Sequence, residues 1–166
     1  MIIQPGNLKQ GQSLFTPPYL LYADDDPDDQ AFIVETMRHV NPDISIRCFL
    51  NGLELVQFLE QIPDAHVLPS CIILDLNMPV WDGIHTLKVL KGNHVYNHIP
   101  TFMFSTSSSA RDTALAESLG AVAYITKPYG QKELLEVCRE FAEYCERGEV
   151  RKADRRRAAG TAEGER

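Results

Sequence analysis

CIILDLNMPVWDG, residues 71–83, is the stretch whose reading decides the fold. Its first six residues are apolar except for Asp75 and lack the alternation of a strand with one wet face. Such a run suits a strand buried on both faces of a parallel sheet. A carboxylate left unpaired in an apolar strand is costly, so Asp75 reads as charge placed for a purpose. Asn77, Met78 and Pro79 follow it, and from Asp82 to Lys91 the residues Ile84, Leu87 and Leu90 recur at helical spacing.

The same rhythm extends in both directions. Tyr19 to Ala23 is an apolar run entered through Pro17 and Pro18. A helical pattern with Ile33, Met37 and Val40 follows and is closed by Asn41 and Pro42. ISIRCFL is a short strand, and Leu55, Leu59 and Ile62 form the stripe of a second helix. TFMFS, after Pro100, is a fourth strand. Ser109 and Asp112 make an S-x-x-D helix start, with Gly120 as the stop after Leu119. AVAYIT is a fifth strand, and a last helix from about Gln131 puts Leu134, Cys138, Phe141 and Cys145 on one face. Five alternations of strand and helix predict a doubly wound α/β domain with a mostly parallel sheet.

The chain has 166 residues, 44% of them hydrophobic, which suits one domain with one core. We divide it into an irregular N-terminal arm over 1–18, a folded domain over 19–146 and a charged, frayed tail over 147–166 that extends the last helix by a turn or two. The tail's RKADRRR run reads as a solvated end rather than a contact for RNA, a membrane surface or an acidic partner. The net charge of -7 disfavours non-specific nucleic-acid binding. No segment approaches a membrane span and the N-terminus lacks a signal peptide's apolar core, so the expected location is the cytoplasm. Cys48, Cys71, Cys138 and Cys145 have no CxxC spacing and read as core thiols in a reducing compartment. The five histidines have no zinc-site spacing, and Trp81 reads as packing as readily as a partner contact.

In open parallel sheets, ligands bind beyond the carboxyl ends of the strands. Those ends carry Asp24 and Asp25 on the first strand, Asp75 on the third, Ser105 and Thr106 on the fourth, and Lys127 and Pro128 after the fifth. Five aspartates fill six positions between Asp24 and Asp29, and carboxylates so close must be protonated, solvated or matched by a cation. Two or three of them form a hard-oxygen site suited to Mg²⁺. Asp75 is placed to act as a nucleophile on phosphorus, with Lys127 holding phosphoryl oxygens and Ser105 hydrogen-bonding the same group. Asp26, Pro27, Asp28 and Asp29 read as the start of the first helix.

LLYADDDPDD, CIILDLNMPVWDG, PTFMFSTS and AYITKP, in this order, resemble the receiver domain of two-component response regulators over about Tyr19 to Glu146. The resemblance implies a stand-alone, single-domain receiver with a flavodoxin-like five-stranded parallel sheet, order 2-1-3-4-5, and helices on both faces. It implies phosphorylation of Asp75 by a histidine kinase or phosphotransfer protein. It also implies Mg²⁺, or Mn²⁺ in its place, on Asp25, Asp75 and the Asn77 backbone carbonyl, with Asp24 acting through water. By the same resemblance, Ser105, Thr106 and Lys127 bind the phosphoryl group. Tyr124 sits at the aromatic switch position, and the Lys127–Pro128 bond is the one usually cis in that family. Signalling would pass to an unidentified downstream protein through the face of the fourth helix, fifth strand and fifth helix, with a phosphorylation-dependent homodimer as a further expectation. Catalysis would be limited to part of the domain's own phosphotransfer and autodephosphorylation.

Two features depart from the family pattern. Ala23 is smaller than the Val or Ile usual before the acidic pair, and the arm and tail lie outside the pattern. Two other readings compete with the switch. One is a receiver fold kept as a phosphorylation-independent binding module. The other is a phosphatase of the haloacid-dehalogenase type, which the first-strand sequence DDDP and the lack of room for a cap domain oppose.

Overall fold

The computed structural model describes residues 18–63 and 67–161, and side chains as far as Arg147. The arm expected over 1–18 therefore lies, except for Pro18, outside the described residues. The strands are β1 (Tyr19–Ala23), β2 (Ser45–Phe49), β3 (Cys71–Leu74), β4 (Thr101–Ser105) and β5 (Ala123–Thr126). The helices are α1 (Pro27–Val40), α2 (Gly52–Glu60), α3 (Gly83–Gly92), α4 (Ala110–Ser118) and α5 (Gln131–Thr161). All pairings are parallel, in the order β2-β1-β3-β4-β5. The chain thus has the doubly wound parallel fold expected from its strand and helix alternation, with the flavodoxin-like strand order that the resemblance implied.

Side-chain alternation divides the interior into two cores, one on each face of the sheet. Leu20, Tyr22, Cys71, Ile73, Phe102 and Phe104 pack with Ile33 and Met37 of α1 and Cys138, Phe141 and Cys145 of α5. Leu21, Ala23, Ile72, Leu74 and Met103 pack with Leu55 and Leu59 of α2, Leu87 and Leu90 of α3, and Ala116 of α4. β1, β3 and β4 are buried along their whole length. This double burial is why they read as unbroken apolar runs. Ala23 is fully buried and pairs with Phe49 on one side and Leu74 on the other, so β1 stays in the ladder with this smaller residue.

Short polar side chains start the helices. Asp26 accepts from the Asp28 amide, Asn51 from Glu54, Asp82 from His85 and Ser109 from Asp112. Asp82 is thus a cap rather than the first helical residue. Gly120, at φ 96, supplies the left-handed turn after α4. Two lengths differ from expectation. α2 stops at Glu60 because Pro63 disfavours helical backbone at its predecessor, and Ile62 packs on the core from beyond the helix. α5 continues to Thr161, past the expected turn or two, in a segment rich in the good helix formers Arg, Ala and Lys.

The loop between β3 and α3 is tightly built. The Gly83 amide donates to the Leu76 carbonyl at 2.9 Å, and a Cβ on Gly83 would lie 2.1 Å from the Asp75 carbonyl oxygen. Val80, exposed in the same loop, holds a φ of 66, which a β-branched residue adopts at a cost. Opposite responses are expected in urea unfolding. Gly83→Ala should lower stability by about 2 kcal/mol, because backbone must move, whereas Val80→Gly should raise it by about 1 kcal/mol.

Candidate functional site

Three residues just past their strands are each held by a last inter-strand hydrogen bond. The Asp24 amide donates to Phe49 O at 3.0 Å, the Asp75 amide to Ala23 O at 2.9 Å, and the Lys127 amide to Ser105 O at 2.8 Å. The ladders that build the sheet therefore also fix the backbone of the site. Gln30 of α1 ties the same rim, with Nε2 donating to Asp24 O at 2.7 Å and Phe49 O at 2.9 Å.

Asp24 is fully buried and both its oxygens are engaged. Oδ1 accepts from the Asp26 amide at 2.9 Å, while Oδ2 accepts from the Tyr22 hydroxyl and from Lys127 Nζ at 2.6 Å. Lys127 Nζ also donates to Asp29 Oδ2 at 2.7 Å and lies 3.6 Å from Asp75 Oδ1. Burial works against the Lys127 ammonium, but its bonds to Asp24 and Asp29 outweigh that and raise its pKa. Burial raises the pKa of the Tyr22 phenol, and the charge of Asp24 adds to the effect, so Tyr22 stays a neutral donor.

Asp75 is 6% exposed. Burial raises its pKa; Lys127 opposes this, Asp24 reinforces it, and hydrogen bonds from the Leu76 amide and Ser105 oppose it. Carboxylate oxygens of Asp24, Asp25 and Asp75 all lie within 4.8 Å of one another, with Asp25 exposed. This donor set fits a hard divalent cation that keeps part of its water shell. Asp25 and Asp75 are the carboxylates best able to touch it, because the oxygens of Asp24 already have partners.

The remaining expected residues gather less tightly. Ser105 is buried beside Asp75, and its Oγ accepts from the Ser107 amide at 3.3 Å. Thr106 and Asn77 are exposed on the same rim. Tyr124 is half-buried, with its hydroxyl donating to Ser107 O at 2.9 Å. Pro128 lines a groove between α1 and α5 that Asp29, Phe32 and Tyr129 share. Sequence reasoning missed Tyr22, Gln30 and the pairing of Asp29. For Tyr22 a signal existed, since side chains two apart on a strand share a face.

A sequence profile of the Response regulator receiver domain matches residues 20–139. Protein PilG of Pseudomonas aeruginosa is 35% identical over 77 residues, which are 46% of this chain and 56% of PilG, so under two thirds of that relative is spanned. Response regulator Rcp1 of Synechocystis sp. is 28% identical over 123 residues, 73% of this chain and 84% of Rcp1. The crystal structure of the Mn(2+)-bound form of response regulator Rcp1 aligns with a TM-score of 0.66 at 27% identity, covering 75% of this chain and 91% of that one.

Asp75→Asn removes a charge that burial disfavours, so metal-free protein should gain about 1 kcal/mol of stability above the raised Asp75 pKa. A raised carboxyl pKa means that the folded state holds the proton more tightly than the unfolded chain. The mutant's advantage should therefore shrink as pH falls through that pKa and vanish below the ordinary aspartate value near 3.8. Denaturant melts at several pH values, in the presence of a chelator, measure this.

Proposed function

This chain belongs to the response regulator receiver domain family, and from that premise we propose that it is a signalling switch whose phosphoacceptor is Asp75. Receiver domains are phosphorylation-dependent signalling modules rather than conventional enzymes. The observation that carries the reading is the convergence of Asp24, Asp25, Asp75 and Lys127 on one edge of the sheet, with Lys127 Nζ 3.6 Å from the Asp75 carboxylate.

The donor is a histidine kinase or phosphotransfer protein. An oxygen of Asp75 forms the new bond to phosphorus as the bond from phosphorus to the donor imidazole breaks, and the imidazole nitrogen keeps the electron pair. Asp25, Asp75 and the Asn77 carbonyl would hold Mg²⁺, with Asp24 contributing through water. Rcp1 has been crystallised with Mn²⁺, which supports a divalent site of this kind here. When bound, the cation neutralises charge on the transferring group. Lys127 holds the phosphoryl oxygens, and Ser105 and Thr106 supply hydroxyls on the same side.

The output surface in this reading is α4–β5–α5. Tyr124 lies on it, and Leu115 and Val122 expose apolar surface beside it. Drawing Ser105 toward the new phosphoryl group would shift the neighbouring Ser107 carbonyl, which is the partner of the Tyr124 hydroxyl. The downstream partner is a protein, and a phosphorylation-dependent homodimer is part of the proposal. The cytoplasm is the proposed location; no helix among the described residues is long and apolar enough to cross a membrane.

Intact mass after incubation with acetyl phosphate and Mg²⁺ tests the switch. Wild type should gain one phosphoryl group, and both Asp75→Ala and metal chelation should abolish the gain. An adduct that survives Asp75→Ala would move the acceptor elsewhere. Wild type that takes neither phosphoryl nor fluoroberyllate would instead be a phosphorylation-independent binding module. Sedimentation with and without fluoroberyllate reads the dimer, and monomers in both states would reject it.

A further inference from the structure

We infer that Asp29 is a positioning residue that restrains Lys127 and slows phosphoryl transfer to Asp75. This deepens the switch reading and rests on it. An ammonium has three donors. One is committed to Asp24 at 2.6 Å and one to Asp29 at 2.7 Å, while the nearest oxygen of Asp75 is 3.6 Å away, beyond hydrogen-bond distance. A third donor remains, but the two short bonds hold the amine 3.6 Å from Asp75, so closing on a phosphoryl group there draws it away from one of those two partners. Asp24 is buried and locked by Tyr22 and the Asp26 amide, whereas the Asp29 side chain is 35% exposed. Asp29 is therefore the partner that yields.

Asp29 is not needed to cap α1, because Asp26 accepts the Asp28 amide at 2.9 Å. As a charge in the first turn, its structural worth is only a few tenths of a kcal/mol up to about 1 kcal/mol. Its specific effect is electrostatic. The carboxylate adds negative charge beside the cation site, which favours a divalent ion, and it repels the anionic phosphodonor while competing for Lys127. Removing the charge should therefore weaken cation binding and speed transfer once the cation site is full. These opposite signs distinguish the role from a purely structural one, in which both properties would fall with stability.

The test compares wild type, Asp29→Asn, Asp29→Ala and Asp29→Glu in the full chain. Mg²⁺ affinity is read by calorimetry, the acetyl-phosphate rate at saturating Mg²⁺ by intact mass, and stability by thermal melting. In the reaction, Asp75 oxygen bonds to phosphorus and acetate leaves with the electrons of the broken bond. Asp29→Asn and Asp29→Ala should raise the Mg²⁺ Kd about threefold and the saturated rate about three- to tenfold, with Asp29→Glu close to wild type. A saturated rate unchanged or lowered in both charge-removing variants overturns the inference while leaving Asp75 as acceptor. A wild type that binds Mg²⁺ but takes no phosphoryl group overturns the switch reading, and this inference with it.

Discussion

Everything at the carboxyl edge of the sheet depends on matching a knot of negative charge with one lysine. Unit charges 4 Å apart interact by about 4 kcal/mol at the effective dielectric of a protein surface. Asp24, Asp25 and Asp75 bring carboxylate oxygens within 4.8 Å of one another, and the ladder fixes the backbone of Asp24 and Asp75. Lys127 comes from the edge strand and has to span β4 and β3 to reach Asp24. Strand order, strand length and the last hydrogen bond of each ladder are thus parts of one electrostatic arrangement. The apolar cores on both faces supply the burial that keeps those strands in register.

Within that arrangement the three acids are not equivalent. Asp24 is saturated with donors, Asp75 is buried with an incompletely matched charge, and Asp25 faces solvent. This gradation fits the proposed switch, which would recruit a cation from water and keep one carboxylate oxygen for phosphorus. Tyr22 contributes by donating to the buried acid from the same face of β1, with its ring packed edge-on against Phe104 at 6.3 Å.

The parts legible in the sequence were those encoded locally. Cys71–Leu74 and Thr101–Ser105 are apolar throughout because both faces of those strands are covered, and Ser109 and Gly120 mark helix ends by their own backbone chemistry. The rim residues followed because ligand positions in parallel sheets are set by topology. What stayed hidden depends on distant partners. The pairing of Asp29 with Lys127 joins residues 98 positions apart, and locally Asp29 looked like an ordinary first-turn acid. The conformation of Val80 was equally hidden, since a β-branched residue is a poor advertisement for a left-handed turn.

The β3–α3 loop has one more consequence, and it is optical. Trp81 is the chain's only tryptophan, six positions after Asp75. Its ring lies edge-on to His85 at 4.7 Å, and its carbonyl accepts the Gly52 amide at 3.1 Å, linking the loop to the start of α2. The indole emission of this protein is thus a single-source signal originating in the β3–α3 loop. Changes in that loop can be followed by light without attaching a dye, and no second indole dilutes the reading.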